Sequence, residues 1–84
     1  MDTSIITQRL GDQVRAMRLN RGYKQAELAN LAGVTRQKLI EIEQGSPSVS
    51  MNAYARVIAA LGSELKLVPV TLPTLEELGD LFNE

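Results

Sequence analysis

Arg36, Gln37, Lys38 and Glu41 crowd into a short stretch directly after Gly33-Val34-Thr35. A charged run of this kind is an ordinary solvated helix face in many proteins, and its position right after a glycine turn is what sets it apart. Covalent and acid-base chemistry have little to work with. The chain contains no His and no Cys, which removes the commonest metal ligand and proton carrier together with any thiolate or disulfide. Glu41 and Glu43 lie two positions apart, on different faces of a helix, with no nucleophile beside them. The expectation is a protein that is not an enzyme and carries no metal or cofactor.

The elements that must position this run are helices. Ile6, Leu10, Val14 and Met17 mark one apolar stripe on a first helix that ends near Gly22. Gln25 to Ala32 reads as a short second helix with Leu28, Ala29 and Ala32 inward, stopped by Gly33. Thr35 is a suitable N-cap for a third helix, with Leu39 and Ile42 on one face and an end at Gly45. Ser46 to Ser50 is turn-rich, and Ser50 can cap a fourth helix carrying Tyr54, Val57, Ile58 and Leu61 before Gly62. Two short helices across a tight glycine turn can present the second of them to a DNA major groove. The same unit joins helices in bundles with no DNA role, so spacing by itself leaves both readings open.

After Gly62 the period changes. Glu64, Leu65, Lys66, Leu67 and Val68 alternate before Pro69, which predicts a short edge strand over 64–68. Thr74-Leu75-Glu76-Glu77 has capping-box spacing and precedes Leu78, Leu81 and Phe82, so residues 71–84 read as an acidic tail, flexible or a short helix. Residues 1–70 form the domain proper. With 84 residues, its core is modest enough that a partner subunit would help secure it.

The net charge of −1 conceals an asymmetry. Met1 to Ser63 carries eight bases against five acids, and Glu64 to Glu84 one base against five acids. Phosphates respond to the local field of one face, so a net-acidic chain remains compatible with DNA. No apolar run approaches the length of a bilayer span and Met1-Asp2-Thr3-Ser4 lacks a basic leader, so neither a membrane nor a targeting signal is expected.

Several motifs occur in order: Arg18 to Gly22 as Arg-x-x-Arg-Gly, Gln25-Ala26-Glu27-Leu28-Ala29, Gly33-Val34-Thr35-Arg36-Gln37, and Ile42-Glu43-Gln44-Gly45. Together they resemble the XRE, or lambda-repressor-like (Cro/cI-type), helix-turn-helix family over roughly residues 6 to 62. The resemblance implies an all-α, four- to five-helix DNA-binding domain whose ligand is double-stranded operator DNA. It implies base contacts from Arg36, Gln37 and Glu41, since Arg can grip guanine and Gln adenine through paired hydrogen bonds. It implies phosphate contacts from Gln25, Lys38, Gln44, Ser46 and Ser48, with Gly45 adding a backbone N–H, and a structural ion pair between Arg18 and Glu43. Lys24 departs from the pattern, where the family commonly has a capping hydroxyl or amide. Ile40 also departs, an apolar residue where a small polar one is usual.

Most relatives continue into a fifth helix after the fourth, whereas Ser63 to Val70 alternates. This is similar to HipB-type antitoxins, in which the strand pairs with its twin across a homodimer. That resemblance implies a strand bearing Leu65 and Leu67 at the dimer axis, a repressor of its own operon in the bacterial cytoplasm, and a kinase-like toxin as partner. A stand-alone regulator, of the restriction-modification controller or phage repressor type, is the alternative. An adaptor serving only protein association is a further one.

Overall fold

In the computed structural model, which describes residues 2–69, four helices follow one another: α1 (Thr3–Asn20), α2 (Gln25–Ala32), α3 (Arg36–Glu43) and α4 (Met51–Ala60). Three of them begin where a side-chain oxygen takes up an N–H that the first turn leaves open. Asp2 accepts from the Ser4 N–H at 3.0 Å, Thr35 from the Lys38 N–H at 3.0 Å, and Ser50 from the Ala53 N–H at 3.2 Å. The Asp2 cap starts α1 at Thr3, ahead of the Ile6 start that periodicity suggests, because a cap works by hydrogen bonding and leaves no mark on an apolar period. At α2 the Lys24 ammonium has only donors and cannot cap. Glu27 reaches back instead and accepts from the Lys24 N–H at 3.1 Å, supplying half of a capping box.

The core lies where α3 packs against both α1 and α2, and α4 closes over α2 and α3. Leu28, Leu39, Ile42 and Val57 are completely buried and Leu61 nearly so. Each such side chain contributes about 1.5–3 kcal/mol relative to leaving it in water. Val14 joins this core from α1, with Leu10 and Met17 packed partly against it. Ile6 does not, contrary to the apolar stripe: it is 53% exposed, ahead of the crossing that Gly45 makes at Thr7 and Gln8.

Glycines set two backbone approaches. A Cβ on Gly11 would stand 2.5 Å from the Ile42 carbonyl oxygen and 2.8 Å from the Gly45 nitrogen, so α1 crosses the end of α3 backbone against backbone. Gly45, at φ 76°, meets the same crossing from the other side, where a Cβ would lie 2.5 Å from Gln8 Cα. Gly33 makes the turn between α2 and α3 at φ 71°, a left-handed conformation, while the Val34 N–H returns to the Ala29 carbonyl at 3.0 Å.

Beyond Gly62 the structure departs from the sequence reading. Residues 63–69 form neither helix nor strand, so neither a fifth helix nor the strand expected over 64–68 is present among the described residues. The reason is that a strand exists through its ladder, and the four helices spend their backbone groups internally. The short helix expected within 71–84 lies outside the described residues. No described helix is long and apolar enough to cross a membrane.

Candidate nucleic-acid interface

Leu39, Ile42 and Glu43 are the buried positions of α3. At about 100° per residue, the direction opposite them belongs to Gln37 and Glu41, one turn apart. Gln37 is exposed and Glu41 partly so. Arg36 and Lys38 fall on opposite shoulders of this outward face, about 200° apart around the helix. Both are exposed, and the Lys38 ammonium stands 3.6 Å from the Glu41 carboxylate. Ile40 is half-buried on the Arg36 side, outside the main core cluster.

Behind the Arg36 shoulder runs a chain of polar contacts that starts in the interior. Arg18 and Glu43, 7% and 8% exposed, form a two-point ion pair: Arg18 Nε to Glu43 Oε2 at 2.7 Å and Nη2 to Oε1 at 3.1 Å. The remaining guanidinium nitrogen donates to the Tyr23 carbonyl at 3.0 Å, so the loop after α1 is tied to the same group. Gln25, half-buried at the first position of α2, donates to Glu43 Oε1 at 3.4 Å and accepts from Arg36 Nη2 at 3.5 Å. These last two bonds are long and weak, but both donate inward, from Arg36 at the start of α3 through Gln25 to the buried Glu43. No buried side-chain nitrogen or oxygen among the described residues lacks a partner.

Two clefts open on the flanks of α3. One is lined by Arg18, Lys24, Gln25, Ala26 and Arg36, between the starts of α2 and α3. The other lies between the Gly33 turn and the start of α4, with Thr35, Lys38, Asn52 and Arg56 on its walls. Neither has an acid among its lining residues, although the chain as a whole carries a net charge of −1. The sequence pattern does not mark Asn52 or Arg56, and it marks Lys24 only as a departure at the cap of α2. Asn52 and Arg56 sit on the solvent side of α4, a face that periodicity identifies only as polar.

The α3–α4 loop is more self-contained than its residue types suggest. The Gly45 and Ser46 N–H groups donate to the carbonyls of Ile42 and Glu41, at 2.9 and 3.0 Å. Ser48 N–H lies 3.4 Å from Ser46 Oγ, and the two serine hydroxyls are 2.9 Å apart. The backbone donor expected at Gly45 is therefore already engaged, because the residue closes the end of α3 from a buried position. What the loop still presents outward is the exposed Gln44 amide and the paired hydroxyls of Ser46 and Ser48. Tyr54 holds the loop down, its hydroxyl donating to the Ser46 carbonyl at 2.8 Å, and burial pushes its phenol above the ordinary value of 10.0.

Leu65 and Leu67 stand apart from this surface, on the segment after α4, where Leu65 is 51% and Leu67 98% exposed. No cluster of three metal-ligating side chains occurs among the described residues.

Comparison with known proteins bears on the same stretch of chain. Residues 9–71 match the model of a helix-turn-helix domain family. Over 51 residues the chain is 43% identical to an uncharacterized HTH-type transcriptional regulator of Methanothermobacter thermautotrophicus, an alignment covering 61% of this chain and 74% of that protein. The helix pair α2–α3, its Gly33 turn and Gly11 of the α1 crossing fall within the matched residues, and the chain belongs to the helix-turn-helix domain family.

Proposed function

We propose that the protein is a sequence-specific DNA-binding transcriptional repressor that reads its operator with the first turn of α3. The observation that carries this reading is the placement of Arg36 and Gln37: both are exposed at the start of a helix whose opposite face is locked in the core. In a major groove that turn meets base edges, where Arg suits guanine, Gln suits adenine, and Glu41 can accept from cytosine. Gln25, Lys38, Gln44, Ser46 and Ser48 border the face and serve as phosphate donors in this reading. The test is an operator selected from random duplexes, titrated with Arg36→Ala and Gln37→Ala. Each variant should cost about 1–3 kcal/mol and relax preference at one base position. Unchanged affinity and preference in both would remove α3 from recognition.

The finer reading is an autoregulating antitoxin of a HipBA-like operon, acting as a homodimer with a kinase-like toxin as partner. Its support is the segment after α4, which is non-helical and presents Leu65, Leu67 and Val68 to solvent at 51%, 98% and 65% exposure. Such a segment can pair with its twin about a two-fold axis, setting the two recognition helices near one DNA turn apart, about 34 Å. Leu67→Pro removes a ladder donor and an apolar contact together, so it should yield monomers with much weaker operator binding. An intact dimer in that variant, measured by size exclusion with light scattering, would favour a stand-alone regulator that dimerises elsewhere. Loss of all duplex binding in the wild-type chain would leave the adaptor reading.

A further inference from the structure

We propose that the cleft between the Gly33 turn and α4 is a second seat for a DNA backbone phosphate, with Arg56 as its principal donor and Lys38 and Asn52 beside it. The inference rests on the DNA-binding reading of α3 and extends the contact surface to a helix that this reading leaves out.

Arg56 is exposed, and its Nη1 lies 3.5 Å from the Gly33 carbonyl, a contact long enough to hold the guanidinium over the cleft without consuming it. Among the described residues it forms no ion pair. Lys38 enters the same cleft from α3 and Asn52 from α4, and no acid lines it. Lys38 has Glu41 3.6 Å away outside the lining, an exposed and weak pair, and Arg56 has no acid partner among the described residues. Two cations and an amide converging on one concave site in this way suit a group that is anionic and rich in acceptor oxygens.

The placement gives that anion its identity. A helix lying in a major groove has a phosphate backbone on either side of it. Arg36 and Lys38 occupy opposite shoulders of α3, and each belongs to a different cleft. The Lys24–Gln25–Arg36 cleft therefore faces one backbone when the outward face meets base edges, and the Lys38–Asn52–Arg56 cleft faces the other. With a grip on each strand the helix is held against rotation about its own axis, which contacts from one side cannot do.

The experiment compares wild-type protein, Arg56→Ala, Arg56→Lys and a control, Arg15→Ala, chosen because Arg15 is exposed on α1 and lines neither cleft. The ligands are a mixed-sequence duplex and the selected operator, each titrated over a salt series. Losing one phosphate contact lowers the slope of log K against log salt by about 0.9. Arg56→Ala should therefore weaken binding to both duplexes, with the disadvantage shrinking about 3.5-fold between 50 and 200 mM salt. Arg56→Lys should restore most of the slope, and Arg15→Ala should leave it unchanged. Thermal melts by circular dichroism confirm that each variant is folded, and the Lys variant keeps the proposal testable should Ala perturb the turn. A wild-type slope in Arg56→Ala, with Arg36→Ala still impaired on the operator, overturns the second seat and leaves the α3 reading standing. Failure of the wild-type chain to bind either duplex overturns both.

Discussion

Glu43→Ala strands a cation in the interior. Arg18 and Glu43 side chains retain 9% and 5% of their exposure, and their two contacts of 2.7 and 3.1 Å satisfy both carboxylate oxygens. Forming such a pair from hydrated ions gives little net stability, because desolvation offsets most of the attraction. Removing one member is another matter: the other stays buried without compensation, at a cost of about 3–5 kcal/mol. A chain of this length has a total stability of about 4–13 kcal/mol, so the variant loses a large share of it. Urea unfolding followed by circular dichroism should show the midpoint fall with little change in slope. Arg18→Met/Glu43→Leu leaves no charge behind and should recover to within about 1 kcal/mol of wild type, or exceed it. A loss below about 1 kcal/mol in Glu43→Ala would refute the reasoning, and so would a double variant no more stable than the single one. The double variant also separates stability from positioning. It cuts the Gln25–Glu43 contact, so if the chain out to Arg36 orients the start of α3, operator affinity falls while stability does not.

Two further predictions test other parts of the frame. Gly11→Ala gains about 1 kcal/mol of helix propensity but drives a methyl into backbone atoms 2.5 and 2.8 Å away that no rotamer change can relieve, so a net loss of about 1–2 kcal/mol is expected. A variant at least as stable as wild type, by the same urea titration, would mean that the crossing of α1 over α3 gives way easily. Tyr54 has its phenol pKa raised by burial, so above 10.0 the unfolded chain sheds this proton first and binds fewer protons than the native one. Its contribution is fully present below 10.0 and is lost as pH climbs through the native value. Stability should therefore fall more steeply above about pH 10 in wild type than in Tyr54→Phe, and equal slopes would refute the assignment.

The helices could be read from the sequence because their signals are local. Thr35 and Ser50 cap α3 and α4 as expected, Gly33 ends α2, and Leu28, Leu39, Ile42, Val57 and Leu61 lie in the core. What escaped has non-local causes. Gly11 looks like a defect in a helix, and only the crossing with α3, more than thirty residues on, explains it. Ile6 fits the apolar period but remains 53% exposed, because a period along one helix does not say where its neighbours pack. The Gly45 N–H looks available until the end of α3 takes it up. Arg56 belongs to α4 by sequence and to the Gly33 turn by contact, so no motif confined to α2 and α3 could include it. The alternation over 64–68 was a statement about a ladder, and one chain's residues do not contain the other half of it.

The same distinction explains how so short a helix can hold a fixed surface outward. Eight residues are too few to form a stable helix alone in water, so α3 owes its existence to tertiary anchors. Those anchors differ in kind. Leu39 and Ile42 give non-directional burial, which fixes the side of the helix that faces inward but tolerates a small rotation or slide. Glu43 adds a directional bond to Arg18, and Arg18 in turn grips the Tyr23 carbonyl, so axial position is tied to α1 and to the entrance of α2. At the other end of α3 the Thr35 cap and the left-handed Gly33 fix the start of the first turn. Rotation and translation are thus restrained at both ends by groups of known geometry. The residues between, Gln37 and Glu41 above all, can then vary in identity without loosening the helix that carries them.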